Sequence, residues 1–218
     1  EAEDIGLYKY DILSQRGLGH IKDTVDLVRK NKGIEIDIHR IADFKKDEKI
    51  KELIRSGRCM GCFYVESPAM RGLLKKLHVD TYIQLVAASS IIRPGVARSG
   101  MMREYILRTH DPARRTYIHP VMKELMEETY GIMVYQEDVI KVAHHFAGLD
   151  LSEADVLRRG MSGKFRSREE FQKIRDKFFD SCHSRGYPED ITAEVWRQIE
   201  SFAGYSFSKG HSASYAVE

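Results

Sequence analysis

The segment Ser152-Glu-Ala-Asp-Val-Leu-Arg-Arg-Gly-Met-Ser-Gly-Lys164 opens with a serine placed three residues before an aspartate. That spacing is a capping box, in which each side chain satisfies the other's free backbone donor, and it predicts a short helix. The helix delivers Arg158 and Arg159, then Gly160, and after Met161-Ser-Gly it delivers Lys164. Two guanidiniums followed by an ammonium can grip a phosphate chain, because Arg offers planar bidentate donors and Lys a point charge. The same residues also suit a solvated basic helix end, since cations are favourable near a helix C-terminus. Charge pattern alone leans to the solvated end, so the rest of the chain has to decide.

Upstream of this segment the period is helical as far back as Asp47. Asp47 to Ser56 reads as a helix with Ile50, Leu53 and Ile54 inward and Gly57 as its C-cap. Ser67-Pro68 opens a second, with Met70, Leu73, Leu74 and Leu77 on one stripe. Asp80 is expected to cap a third through Ile83, Val86, Ala87 and Ile91, stopped by Arg93-Pro94-Gly95. Arg108 to Tyr117 reads as a charged loop, and Val121–Thr129 and Glu137–Ala147 as helices. The second of these carries Val139, Val142, Ala143 and Phe146 inward. Downstream, Ser167 with Glu170 forms a second capping box ahead of a long helix holding Phe171, Ile174, Phe178 and Cys182 inside. Asp190 to Phe202 is the last clear helix.

The N-terminal residues differ. Gly6 to Leu13 alternates in the period of a strand, with Tyr8, Tyr10 and Ile12 on one face and Leu7, Lys9, Asp11 and Leu13 on the other. Asp11 is a carboxylate in an aromatic strand. It is either at a solvated edge or a metal ligand held on a rigid strand, and the residues alone leave both open. Gly17-Leu-Gly19 is expected to turn the chain into a helix through Thr24, Val25, Leu27 and Val28, ended by Asn31-Lys-Gly33. Ile34 to Ile38 alternates as a short half-buried strand or an extended linker. The change of period from two to 3.6 places a domain boundary near Arg40. The fold class is mostly α: a helical domain over 41–218 behind a small N-terminal α/β piece over 1–40.

Composition excludes several classes. The 218 residues are 42% hydrophobic and 31% charged, with a net charge of +2, too small to mark the whole chain as a nucleic-acid binder. Basic residues are nevertheless concentrated between Val156 and Lys177, as phosphate contacts require. No apolar run reaches membrane-spanning length and residues 1–20 carry no secretory pattern. Three cysteines do not form a disulfide framework and fit a reducing, cytoplasmic compartment. Glu1 is not a Met and Glu218 falls within a patterned segment, so the chain reads as an excerpt of a longer protein. Cys59-Met-Gly-Cys62 lacks the second ligand pair of a zinc site and the βαβ setting of a redox site, and is read as structural buried thiols. His144 and His145 are read as structural or surface residues. The run from Phe202 to Tyr215 mixes small residues, aromatics, Lys209 and His211. It is either a helix C-cap followed by a loop or a surface on which a base can stack and backbone approach a ligand.

Tyr10-Asp11-Ile12-Leu13, Phe63-Tyr-Val-Glu-Ser67, Ile92-Arg-Pro-Gly95, Ser99-Gly-Met101, Thr129-Tyr-Gly-Ile-Met-Val-Tyr-Gln-Glu137, Ala154-Asp-Val-Leu-Arg-Arg-Gly-Met161 and Phe202 to Tyr215 occur in this order. Together they resemble the C-family bacterial DNA polymerases, the alpha subunit of DNA polymerase III. The resemblance covers nearly the whole chain. It implies that residues 1–40 are the C-terminal part of a palm of polymerase-beta-like fold, and 41–218 a helical fingers domain truncated at its C-terminal end. It implies a DNA-directed DNA polymerase that adds deoxynucleotides to a primer 3′-hydroxyl by a two-metal mechanism. Lys9 and Asp11 match the family's third catalytic aspartate in its Lys-x-Asp strand, so both are expected to be catalytic and Asp11 to ligate Mg²⁺, a hard cation suited to carboxylate oxygen. The other two aspartates, in a Pro-Asp-x-Asp motif, have no counterpart here, and the chain alone is expected to be inactive. Arg158 and Arg159 match the arginine pair that holds the incoming triphosphate, with Lys164 beside them, and Lys209 and His211 match a Lys and His that face the nucleotide. The family often has Ala where Gly160 stands and Asn-Lys-Ser-His where this chain has Ser208-Lys-Gly-His211. Implied partners are primer-template DNA, deoxynucleoside triphosphates and other replisome subunits, with no membrane. The alternative is a catalytically idle paralogue that binds nucleic acid or protein.

Overall fold

The computed structural model describes residues 5–7, 15–92, 100–161, 168–202 and 207–218. Lys9, Asp11 and most of the expected first strand lie outside these residues, as do Lys164, Ser167 and the Arg93-Pro94-Gly95 stop. What is described is almost entirely helical. Its β-pairing is a single parallel bridge between Tyr135 and Phe207, so the α/β character expected of residues 1–40 finds no strand among the described residues.

The helices in chain order are α1 (Gln15–Lys32), α2 (Ile41–Phe44), α3 (Glu48–Ser56), α4 (Pro68–Leu77), α5 (Tyr82–Ile91), α6 (Met101–His110), α7 (Pro120–Met126), α8 (Gln136–Lys141), α9 (Leu151–Met161), α10 (Arg168–Ser184), α11 (Glu189–Phe202) and α12 (Lys209–Val217). Local chemistry accounts for most of their ends. Asp47 accepts hydrogen bonds from the Lys49 and Ile50 amides and starts α3, and Gly57 ends it with φ 65°. Ser67 caps α4 with Pro68 at its first position. Gly186, with φ 77°, follows α10.

Several expected boundaries move. Helix α1 begins at Gln15 and runs through Gly17 and Gly19 instead of starting after them. Gly17 is needed there for contact: it is buried, and a Cβ would stand 2.8 Å from Phe63 Cδ1. Ile34 to Ile38 forms no strand. It takes the linker alternative, its isoleucines 36–54% exposed because no neighbouring strand among the described residues covers them. Thr81, not Asp80, caps α5 by accepting from the Gln84 amide, and Ile83 points outward. Arg108 to His110 are the last residues of α6, so the charged loop starts at Asp111 and tightens into a 3₁₀ turn at Pro112–Arg114. The capping box at α9 is formed by Asp150 and Glu153, whose carboxylates exchange bonds with each other's amides at 2.8 and 3.0 Å. Asp155 is thereby free of the capping role and serves elsewhere. Past Lys141 the chain of α8 widens into a π-helical turn, Val142–Phe146, with Ala147 N bonded to Val142 O. Cys59 is buried and donates to Leu53 O, whereas Cys62 is exposed, contrary to the pair of buried thiols expected.

The helices pack around two apolar centres. One is built by α4, α5 and α6 with Cys59 and Val79, and α12 lies across α5 with Ala213 and Ala216 inward. The other is built by α7, the π turn, α9, α10 and α11, around Phe146, Phe178 and Trp196. Burying one such large side chain contributes about 1.5–3 kcal/mol, so each centre is a substantial source of stability. The extended segment before α8 joins them. Ile132 and Val134 enter the first centre and Met133 the second, in period-two alternation, and Tyr135, where the chain turns into α8, joins the first. The start of α8 therefore sits at the seam between the two. Among the described residues no helix is long and apolar enough to cross a membrane.

Candidate functional site

The first turn of α8 is fixed by one buried carboxyl. Asp138 is 2% exposed, and its Oδ2 accepts from the Val134 amide at 2.8 Å and the Tyr135 amide at 2.9 Å. Burial pushes this carboxyl up to about 6, against the opposing pull of those two amides and of Lys141. Tyr135 beside it is raised above its ordinary value by burial and by the nearby Glu128 carboxylate.

Arg158 reaches this turn from α9. Its Nε and Nη2 lie 2.8 and 2.7 Å from Asp155 Oδ1, and its Nη1 donates to Gln136 Oε1 at 3.2 Å. Arg159 Nε stands 3.0 Å from Asp155 Oδ2 as an ion pair without hydrogen-bond geometry. Asp155 thus faces both guanidiniums from one and the same turn, at spacings of three and four residues. Arg158 is 26% and Arg159 42% exposed, so both are part-buried at a helix end and not freely solvated. Gly160 is buried behind them.

Lys209 reaches the turn from the other side. The Ser208 hydroxyl donates to Glu137 Oε1 at 2.9 Å and the Lys209 amide donates to Glu137 Oε2 at 3.0 Å. A carboxylate on free N-terminal amides is favourable both as a hydrogen bond and toward the helix dipole. The Lys209 ammonium donates to both Glu128 oxygens at 2.7 and 3.0 Å and lies 5.1 Å over the Tyr135 ring. The Gln136 amide donates to Phe207 O at 3.1 Å, and the half-buried His211 ring lies 5.6 Å from the Phe207 ring. Phe207 in turn stacks parallel to Tyr215, which stacks on Tyr64 at 4.3 Å. Lys209 to Val217 is a helix, not the loop that one reading of this stretch expected, and Gly210 has room for a side chain, with only Ser208 Oγ near at 3.5 Å.

Arg158 and Lys209 therefore meet about one helical turn, though they come from two elements far apart in the chain, with Arg159 beside Arg158 on Asp155 and His211 beside Phe207. Lys164, Lys9 and Asp11 lie outside the described residues. Gln136, Glu137, Glu128 and Asp155 organise the site; the sequence marked Asp155 only as a helix cap and gave the other three no site role. The Asp155–Arg158–Arg159 spacing was a legible signal. The Gln136-Glu137 pair had none beyond its place at a helix start. Among the described residues no cluster of three or more His, Cys, Asp or Glu could hold a metal ion, and Asp11, the expected Mg²⁺ ligand, lies outside them. A separate apolar cleft of about 500 Å³, lined by Ile21, Val25, Ile38, Ile50 and Leu85 among others, does not include the arginines.

Residues 17–186 match the family described as the bacterial DNA polymerase III alpha subunit finger domain. The chain is 39% identical over 216 residues to the DNA polymerase III subunit alpha of Staphylococcus aureus (strain COL), covering 99% of this chain and 20% of that protein. It is 35% identical over 215 residues to the DNA polymerase III subunit alpha of Aquifex aeolicus (strain VF5), covering 99% of this chain and 18% of that protein. The chain thus spans about a fifth of the length of these curated relatives. A mostly helical chain whose motifs, order and family match agree belongs to the C-family DNA polymerase III alpha subunits, in their finger domain.

Proposed function

We propose that this chain supplies the incoming-nucleotide grip of a DNA-directed DNA polymerase, with Arg158, Arg159, Lys209 and His211 facing the triphosphate and base of a deoxynucleoside triphosphate. The observation that carries the reading is the convergence of Arg158 and Lys209 on the first turn of α8. Guanidiniums and an ammonium hold β- and γ-phosphate oxygens by charge-assisted hydrogen bonds in substrate and transition state alike, and part-buried groups act in a lower dielectric than solvated ones. Phe207, stacked toward Tyr215, offers an aromatic face next to His211. Lys164, which follows Gly163 in the sequence, belongs to the same proposal. So does the domain division at residue 40.

Asp11, with Lys9, completes the reading as one catalytic carboxylate and a Mg²⁺ ligand of the palm. Bound there, Mg²⁺ supplies activation of the primer hydroxyl and neutralisation of the leaving pyrophosphate. Primer-template DNA and other replisome subunits are the partners this role requires, and the chain by itself is expected to lack polymerase activity.

Calorimetric titration of a deoxynucleoside triphosphate with Mg²⁺ into the chain and into its Arg158→Ala/Arg159→Ala variant tests the grip. Saturable binding that the variant loses supports it. Equal binding by both proteins returns the arginines to a solvated helix end.

A further inference from the structure

We propose that Gln136 and Glu137 are positioning residues that hold the two halves of the phosphate grip in one register; this rests on the nucleotide-grip reading of Arg158, Arg159 and Lys209. The two halves belong to different packing units. Helix α9, which carries the arginines, is buried with α10 and α11, whereas α12, which starts with Lys209, lies across α5. Without a tie each cation would move with its own core, and a phosphate chain needs both within hydrogen-bond reach at once.

Adjacent residues of one helical turn make the tie. Gln136 accepts from Arg158 Nη1 with its side chain and donates to Phe207 O with its backbone. Glu137 accepts from Ser208 Oγ and the Lys209 amide with its two carboxylate oxygens. Successive helical positions point about 100° apart, so one residue can serve the arginine while its neighbour serves α12. The turn itself is rigid. Asp138 pins the Val134 and Tyr135 amides, and the preceding strand-like segment is gripped by both cores. Neither Gln136 nor Glu137 suits direct contact with a triphosphate through its partner-bound atoms, and a carboxylate repels phosphate. They act through the cations they place.

A residue of this kind governs nucleotide affinity and leaves the chemical step nearly alone. The test is steady-state primer extension by the polymerase subunit that carries this sequence, comparing Glu137→Ala, Glu137→Gln and Arg158→Ala/Arg159→Ala. Glu137→Ala is expected to raise KM for the deoxynucleoside triphosphate about tenfold with kcat within about threefold, the effect of one net charge-assisted hydrogen bond. Glu137→Gln keeps an oxygen acceptor and restores most of the loss. With Lys209→Ala already present, Glu137→Ala adds less than it does alone. The melting midpoint of each variant falls by no more than a few degrees. The inference is overturned if Glu137→Ala leaves KM within twofold while the arginine variant raises it. A fall in kcat that follows the melting midpoint and is not rescued by Gln also overturns it, since that is a folding defect. If the arginine variant itself leaves KM unchanged, the grip reading fails first, and that result is distinct from the other two.

Discussion

Ser90 on α5 and Ser212 on α12 share a hydrogen bond between their hydroxyls inside a contact where both residues are about 1% exposed or less. This bond, with Tyr82 Oη donating to Ala213 O at 3.0 Å, fastens the helix that carries Lys209 and His211 to the first core. A buried hydroxyl that loses its partner retains its desolvation penalty, whereas removing both hydroxyls leaves only a small void. Ser90→Ala or Ser212→Ala alone is expected to destabilise by about 1–3 kcal/mol, and the double variant by less than the sum of the two. Urea unfolding of the four proteins measures the cycle; strictly additive losses would show that the hydroxyls do not depend on each other.

Asp138 sets a second expectation, with a definite sign. Its folded-state value, about 6, lies above the ordinary 3.8 because burial disfavours the charged form. The folded protein therefore holds the proton more tightly than the unfolded chain. The contribution to stability is full below about pH 4 and is lost as pH rises toward 6, after which it is flat. Two units correspond to roughly 3 kcal/mol. Asp138→Asn keeps an oxygen for the Val134 and Tyr135 amides and removes the titration. The difference in unfolding free energy between parent and variant, measured from pH 4 to 7, should move in the variant's favour by a few kcal/mol. A constant difference would show that Asp138 does not titrate there.

Most helices were legible because their signals are local. Asp47, Ser67 and Gly57 act through bonds to neighbours within four residues, and the apolar stripes of α4 and α10 report burial directly. Misplaced boundaries have physical causes that sequence does not display. Gly17 looked like a turn residue, yet it is helical because Phe63, 46 positions later, packs against it. Ser152 and Asp155 satisfied the capping pattern, but Asp150 and Glu153 satisfied it two residues earlier, and that left Asp155 to the arginines. The arginine pair and Lys209 were visible as residues. Their meeting at Gln136 and Glu137 was not, because it depends on how two cores are placed side by side.

Thiol reactivity separates the three cysteines cleanly. Cys59 and Cys182 are buried, and burial pushes Cys182 up to about 11 and raises Cys59 as well. Cys62 is exposed at the turn that follows. A thiol reagent at pH 8 should modify one cysteine rapidly and the other two only on unfolding. Cys62→Ser should abolish the rapid phase; its persistence would place a second thiol at the surface.

The Glu128–Lys209 ion pair bears most directly on how the cation is made available. Both oxygens engage one ammonium at 2.7 and 3.0 Å, yet the side chains are 41% and 34% exposed, so the pair is solvated enough to exchange. Pairs of this exposure contribute about 0–1 kcal/mol to stability and weaken as salt rises. Glu128 neutralises Lys209 in the folded chain, so under the proposed grip nucleotide and carboxylate compete for this ammonium. Glu128→Gln removes the competitor and leaves Glu137 on the α12 amides. Its expected effect is a loss of stability of no more than about 1 kcal/mol together with nucleotide binding a few-fold tighter at low ionic strength. The gain should shrink toward unity by roughly 0.5 M salt, where parent and variant are equally screened. Fluorescence titration of a labelled deoxynucleoside triphosphate at several salt concentrations reads both effects. Weaker binding by Glu128→Gln at every salt concentration would mean that Glu128 holds Lys209 in its working position instead of withholding it.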